Sequence, residues 1–201
     1  MITIPADFDQ THVYTNGSND TQEQLPPGGH ICRILDAAVE QTRSGGEMLV
    51  VYYDIAEGGQ YDGYFKARMD RIKEYRSDAP WPGIFRAPVL TRTGKTCGYF
   101  KGLITAVEES NTGYSFKAAK GDELTLKGKL VGFNFGEEEY VNRKGEYKTT
   151  VKPFYAVSVA HIRAGIQPPP KKVYDPAANP RNLSPAAKEF VEVANDPDLP
   201  F

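Results

Sequence analysis

The chain has 201 residues, 40% of them hydrophobic and 25% charged, with a formal net charge of −2. That size predicts one compact domain with appendages, and the composition excludes a wholly disordered chain. No apolar run approaches the ~20 residues of a membrane span. The opening Met1-Ile2-Thr3-Ile4-Pro5-Ala6-Asp7 lacks a secretory pattern. Cys32 and Cys97 make no disulfide framework, and no Cys or His sits at zinc spacing, so a reducing cytoplasm is expected, with no metal and no cofactor.

Residues 1–27 read as an arm. They carry Asp7, Asp9, Asp20 and Glu23 without a base, and Asn16–Thr21 and Pro26-Pro27-Gly28-Gly29 are turn chemistry. From His30 to Ala38 apolar and mixed positions alternate, which predicts a first strand. After Ser44-Gly45-Gly46, the β-branched and aromatic run Met48–Ile55 predicts a second, and Tyr61–Met69 a third. Residues 76–94, dense in Pro and Gly, read as a long loop. Tyr99, Phe100, Leu103, Ile104 and Val107 then fall on one helical stripe, stopped by Ser110-Asn111-Thr112-Gly113. Leu126–Phe135 predicts a fourth strand, Asn142–Gly145 a hairpin turn, and Glu146–Ile162 a long fifth strand bent at Pro153.

Three strands, a helix and two strands is the order of an OB-fold, so the expected class is mainly β: an OB-fold-like five-stranded barrel with one helix after the third strand. A β-sandwich with one helix is the rival. The layout is then an arm (1–27), an OB-like domain (28–166), a Pro-rich linker (167–188) and an acidic tip (189–201).

Catalytic patterns are thin. His12, His30 and His161 share no local pattern with a nucleophile or ligand. Thr93-Gly94-Lys95-Thr96 ends like a phosphate-binding loop but lacks the glycine five residues before Gly94, where Val89 stands, so it reads as a turn. Glu137-Glu138-Glu139 point to alternating sides of a strand and read as a solvated edge that discourages pairing. No catalysis is expected; a hydrolase using dispersed carboxylates ranks last.

Two features carry information. The first lies between Tyr64 and Lys101, where Lys66, Arg68, Arg71, Lys73, Arg76, Arg86, Arg92, Lys95 and Lys101 face only Asp70, Glu74 and Asp78. Tyr64, Phe65, Tyr75, Trp81, Phe85, Tyr99 and Phe100 are interleaved. Cations that follow phosphates and flat rings that stack on bases are the mixture that binds single strands. The stacking candidates are Tyr64, Tyr75, Trp81 and Phe85, with Tyr53 on the second strand. Arg43 after the first strand, and Arg143, Lys144 and Lys148 at the last hairpin, would flank an OB-fold's binding face.

The second is the end of the sequence, Asp196-Pro197-Asp198-Leu199-Pro200-Phe201 after a Pro-rich linker. It resembles the acidic tip of bacterial single-stranded DNA-binding proteins, in which a run of aspartates precedes an apolar residue, Pro and a terminal Phe. Pro197 interrupts the acidic run here. The resemblance implies that Asp196, Asp198, Leu199, Pro200 and Phe201 dock replication and recombination proteins. Within residues 25–132, Leu25-Pro26-Pro27-Gly28-Gly29, Tyr52–Gly58, Tyr64-Phe65-Lys66, Phe100–Asn111 and Leu126–Gly132 look like a phage- or plasmid-encoded group rather than the housekeeping proteins. The expectation is therefore a phage or mobile-element protein in the bacterial host cytoplasm, binding single-stranded DNA without sequence preference. It leaves a homo-oligomer open. The competing reading, favoured by the near-neutral charge and the acidic arm, is a phage protein-interaction or assembly module that binds no nucleic acid.

Overall fold

A computed structural model describes residues 24–42, 45–57, 59–142 and 144–176. Five strands form one antiparallel sheet: β1 (Gly28–Gln41), β2 (Glu47–Ile55), β3 (Ile84–Pro88), β4 (Leu130–Val141) and β5 (Tyr147–Val157), in the order β3-β2-β1-β4-β5. Three helices accompany it: α1 (Tyr64–Tyr75), α2 (Gly98–Ser110) and α3 (Val159–Arg163). No helix among the described residues is long and apolar enough to cross a membrane.

β1 is shared between two partners. Residues 28–33 pair with β4 and residues 32–41 with β2. Leu35 is the extra residue where the β2 register shifts between Ile34 and Asp36. An inserted residue flips which parity faces inward. Cys32 and Ile34 are buried before it and Ala37 after it, while Leu35 stands 37% exposed.

Two expectations are corrected. The segment Tyr61–Met69 is not a strand, since Tyr64 onward is the first turns of α1. Its aromatic–basic alternation also satisfies helical spacing, with Tyr64, Phe65 and Met69 buried, and Ala-Arg-Met-Asp-Arg-Ile-Lys-Glu is a run dominated by good helix formers. The third strand lies inside the expected loop instead, where Phe85 and Ala87 turn inward between less buried neighbours. A five-residue edge strand tolerates Pro88 at its end. The sheet is also not closed into a barrel. β3 and β5 are its two edges, and α2 packs on β5, β4 and β3, spanning the seam between them.

The inner face carries Tyr53, Phe85, Phe133 and Phe135, with Phe133 ring centroids 4.6 Å from Tyr53 and 4.9 Å from Phe85. Leu103 and Val107 of α2 close this core. Asn111 ties the helix to the sheet. Its side-chain NH2 donates to the Val107 and Leu130 carbonyls at 2.7 and 2.8 Å, and its carbonyl oxygen accepts from Leu130 N at 3.0 Å. The expected fifth strand is shorter than read: β5 bulges at Phe154, beside Pro153, and ends at Val157.

The outer face of β4 is covered by α3 and the Pro-rich segment. A methyl group on Gly29 or Gly132 would run into Ile162, and one on Gly136 into Phe154 and Pro169. Asn134, fully buried, donates to the Gln167 carbonyl at 2.9 Å and the Tyr155 hydroxyl at 3.1 Å. Lys172 N donates to Glu137 O, and Glu139 N to Lys172 O, both at 2.9 Å. Glu137–Glu139 are therefore no bare edge. Glu138 pairs with Lys152 and Glu139 with Lys171 at 2.7 Å, because alternation sends successive carboxylates to different partners. The bond from Lys171, helped by the Tyr174 N–H, holds the Glu139 carboxyl below its usual range.

At the start of β1 the His30 Nε2–H donates to Pro26 O at 2.8 Å, and the ring stands edge-on to Phe135 and Tyr61. Burial lowers its pKa despite that bond. A lowered folded-state value favours neutral His30, so its stabilising contribution is present above about pH 6.5 and is lost as pH falls through the folded value. The melting temperature of the native chain is expected to fall more steeply between pH 6.5 and 5 than that of His30→Gln. Parallel slopes in thermal melts would refute this.

Candidate nucleic-acid interface

α1 owes its position to a residue outside it. Gly63 precedes the helix in the left-handed region (φ 67°) and provides no side-chain cap. Asp54, buried on β2, supplies the cap. Its Oδ1 accepts from Phe65 N and Ile55 N at 2.8 Å, and Oδ2 accepts from Lys66 N at 3.0 Å. A carboxylate suits the positive end of a helix. With the N-terminus pinned, Tyr64, Phe65 and Met69 face the core, and Arg68, Arg71 and Tyr75, spaced i, i+3, i+7, share one flank. Tyr75 is 69% exposed, whereas Arg71 is half-buried.

The remaining candidates divide into groups. Lys66 pairs with Asp70 at 2.8 Å, Arg76 with Asp78 at 3.2 Å, Lys148 with Glu146 at 3.4 Å, and Arg86 lies 4.0 Å from Glu40. All are exposed pairs, screened by solvent and easily exchanged for another anion. Arg68, Lys73 and Lys144 are exposed and in no ion pair among the described residues. Trp81 is half-buried, its indole N–H bonded to the Tyr53 carbonyl at 2.9 Å. Tyr53, Tyr64 and Phe85 are corrected as stacking candidates: at 1%, 8% and 5% exposure their rings belong to the core and offer no face to a base. Burial also pushes the Tyr53 phenol and the Cys32 thiol well up in pKa. Arg43, Arg143 and the tip residues Asp196, Asp198, Leu199, Pro200 and Phe201 lie outside the described residues.

The fold adds a feature that sequence reasoning missed. Between Ala79 and Val107 there is no acidic residue. Residues 90–96 form a hairpin closed by the Leu90/Thr96 bridge and by Thr91 N donating to Lys95 O at 2.7 Å. The turn expected at Gly94 and Lys95 lies at its tip, ahead of α2. The hairpin carries Arg92 and Lys95 and leads into Cys97 and α2. There, Cys97, Gly98, Tyr99 and Gly102 on one side and Tyr155 and Ala156 of β5 on the other line a groove of about 380 Å³. Arg92, Lys95 and Lys101 are exposed and in no ion pair among the described residues. The available signal was two glycines one turn apart in the first half of an amphipathic helix; Tyr155, distant in sequence, gave none.

No protein-family model matches the chain, and no curated protein is found to be related to it. No group of three or more His, Cys, Asp or Glu side chains able to hold a metal occurs among the described residues.

Proposed function

We propose that the chain binds single-stranded DNA without sequence preference, serving phage or mobile-element replication or recombination, and that residues 196–201 recruit partner proteins. It catalyses no reaction in this reading and uses no cofactor. The observation that carries it is the set of exposed cations without acidic partners among the described residues, Arg68, Lys73, Arg92, Lys95 and Lys101, lying close in sequence to the exposed rings Tyr75 and Tyr99. Cations without an acidic partner are available to phosphates, and an exposed ring such as Tyr99 to a base. The strand order, with a helix between β3 and β4, supports an OB-like fold opened between its third and fifth strands, a fold that is itself only partly closed in many proteins.

The test is a fluorescence-anisotropy titration with labelled oligo-dT and a matching duplex at several salt concentrations. Binding should favour the single strand and weaken with salt. Replacing Arg68 and Lys73 by Ala should reduce the slope of log K against log[salt] by about 0.7 for each phosphate no longer neutralised. Absence of single-strand binding at low salt overturns the reading and leaves the protein-interaction module in its place.

A further inference from the structure

The groove between α2 and β5 has features that packing does not explain. Gly98 and Gly102 stand in the helix with open space where their Cβ atoms would be. A glycine inside a helix is less stable than Ala, so a side chain at Gly102, one turn inside α2, would stabilise the helix and begin to fill the groove. The hollow is kept open at the expense of helix stability. Tyr99 and Tyr155, 53% and 39% exposed, stand at its two sides. A mostly apolar groove with a tyrosine at each side suits a planar ring. The chain immediately before and within α2 supplies Arg92, Lys95 and Lys101, without an acid from residue 79 to residue 107. A planar apolar ligand joined to negative charge is a nucleobase on its phosphate chain.

We infer that the α2–β5 groove takes an unpaired base of a single strand, stacked against Tyr99 and Tyr155, while Arg92, Lys95 and Lys101 meet the neighbouring phosphates. The inference rests on the proposed DNA binding and assigns it a subsite at the seam of the sheet. Double-stranded DNA is excluded from this subsite because a paired base cannot leave its stack without unpairing.

Two measurements on the full-length chain test it. Gly102→Leu fills the groove from a position with free space, so the fold should survive with an unchanged or higher melting temperature. Its oligo-dT affinity should fall about tenfold or more, since one base can no longer stack. Its salt slope should stay as in the native chain, because every cation that meets a phosphate is still in place. Tyr99→Ala should behave similarly and Tyr99→Phe should retain binding. The second measurement uses Cys97, which lines the groove, while Cys32 is fully buried. Modification of Cys97 by a chromogenic disulfide reagent should slow when oligo-dT is bound and not when duplex is added. If oligo-dT binds but Gly102→Leu keeps native affinity, or Cys97 reacts at the free rate in the complex, the subsite is overturned while the proposed function stands. If a peptide of residues 189–201 protects Cys97 and oligo-dT does not, the groove is a peptide site and the subsite is overturned. If the native chain binds no oligo-dT, both proposals fall.

Discussion

Asp54→Ala is expected to lower stability by about 3–5 kcal/mol, because three backbone N–H groups lose their acceptor at once. Two belong to the first turn of α1 and one to Ile55, and the carboxylate that binds them is only 7% exposed. Gly63 offers no substitute cap. For a chain of this length the melting temperature should drop by roughly 10 °C. Asp54→Asn retains one acceptor oxygen but turns an NH2 group towards Lys66 N, so about half of the loss should remain. Because α1 carries Arg68, Arg71 and Tyr75, fraying at its start should also weaken oligo-dT binding if the proposed function holds. Melts of the two variants followed by circular dichroism decide the matter; an alanine variant melting within about 2 °C of the native chain would show that α1 is held by packing alone.

Gly83→Ala should be nearly as damaging, for a steric reason. A methyl group there would overlap the Tyr53 carbonyl oxygen and stand 2.9 Å from Trp81 Nε1 and 3.0 Å from the Phe65 ring. The same carbonyl accepts the Trp81 indole N–H, and Gly83 O accepts Tyr53 N at 2.9 Å. The added carbon must displace β3 from β2 or break the indole bond, at a cost of about 2–4 kcal/mol. Trp81 is the single tryptophan, so its emission reports the event directly. A red-shifted native spectrum and an earlier urea midpoint are expected, whereas Gly102→Ala, with nothing to collide with, should raise the midpoint. An unshifted spectrum with an unchanged midpoint would mean that the β2–β3 joint yields without strain.

These two residues show why the sequence was legible in one region and opaque in another. Met48–Ile55 and the stripe Leu103, Ile104, Val107 announce a buried strand and an amphipathic helix through periodicity alone, and both appear where expected. Tyr64–Tyr75 satisfied two periods at once, and the feature that selects the helix is Asp54, ten residues before it. β3 was hidden among prolines because a short edge strand needs only Phe85 and Ala87 to face inward. The same ambiguity affected the candidate site. Composition marked residues 64–101 as basic and aromatic, but only packing separates Tyr64 and Phe85, spent on the core, from Tyr75 and Tyr99, left outside.

A mainly β chain with a helix between its third and fourth strands, and a mildly basic middle between acidic ends, could be read from the residues alone. Those properties reside in local periodicity and in charge, which are visible within a few residues. Three others emerged only when the chain was folded: β3 and β5 stay apart, Glu138 and Glu139 pair with lysines from different segments, and Tyr155 stands across a groove from Tyr99. Each of these depends on which distant segments occupy the same space, and no local pattern encodes that.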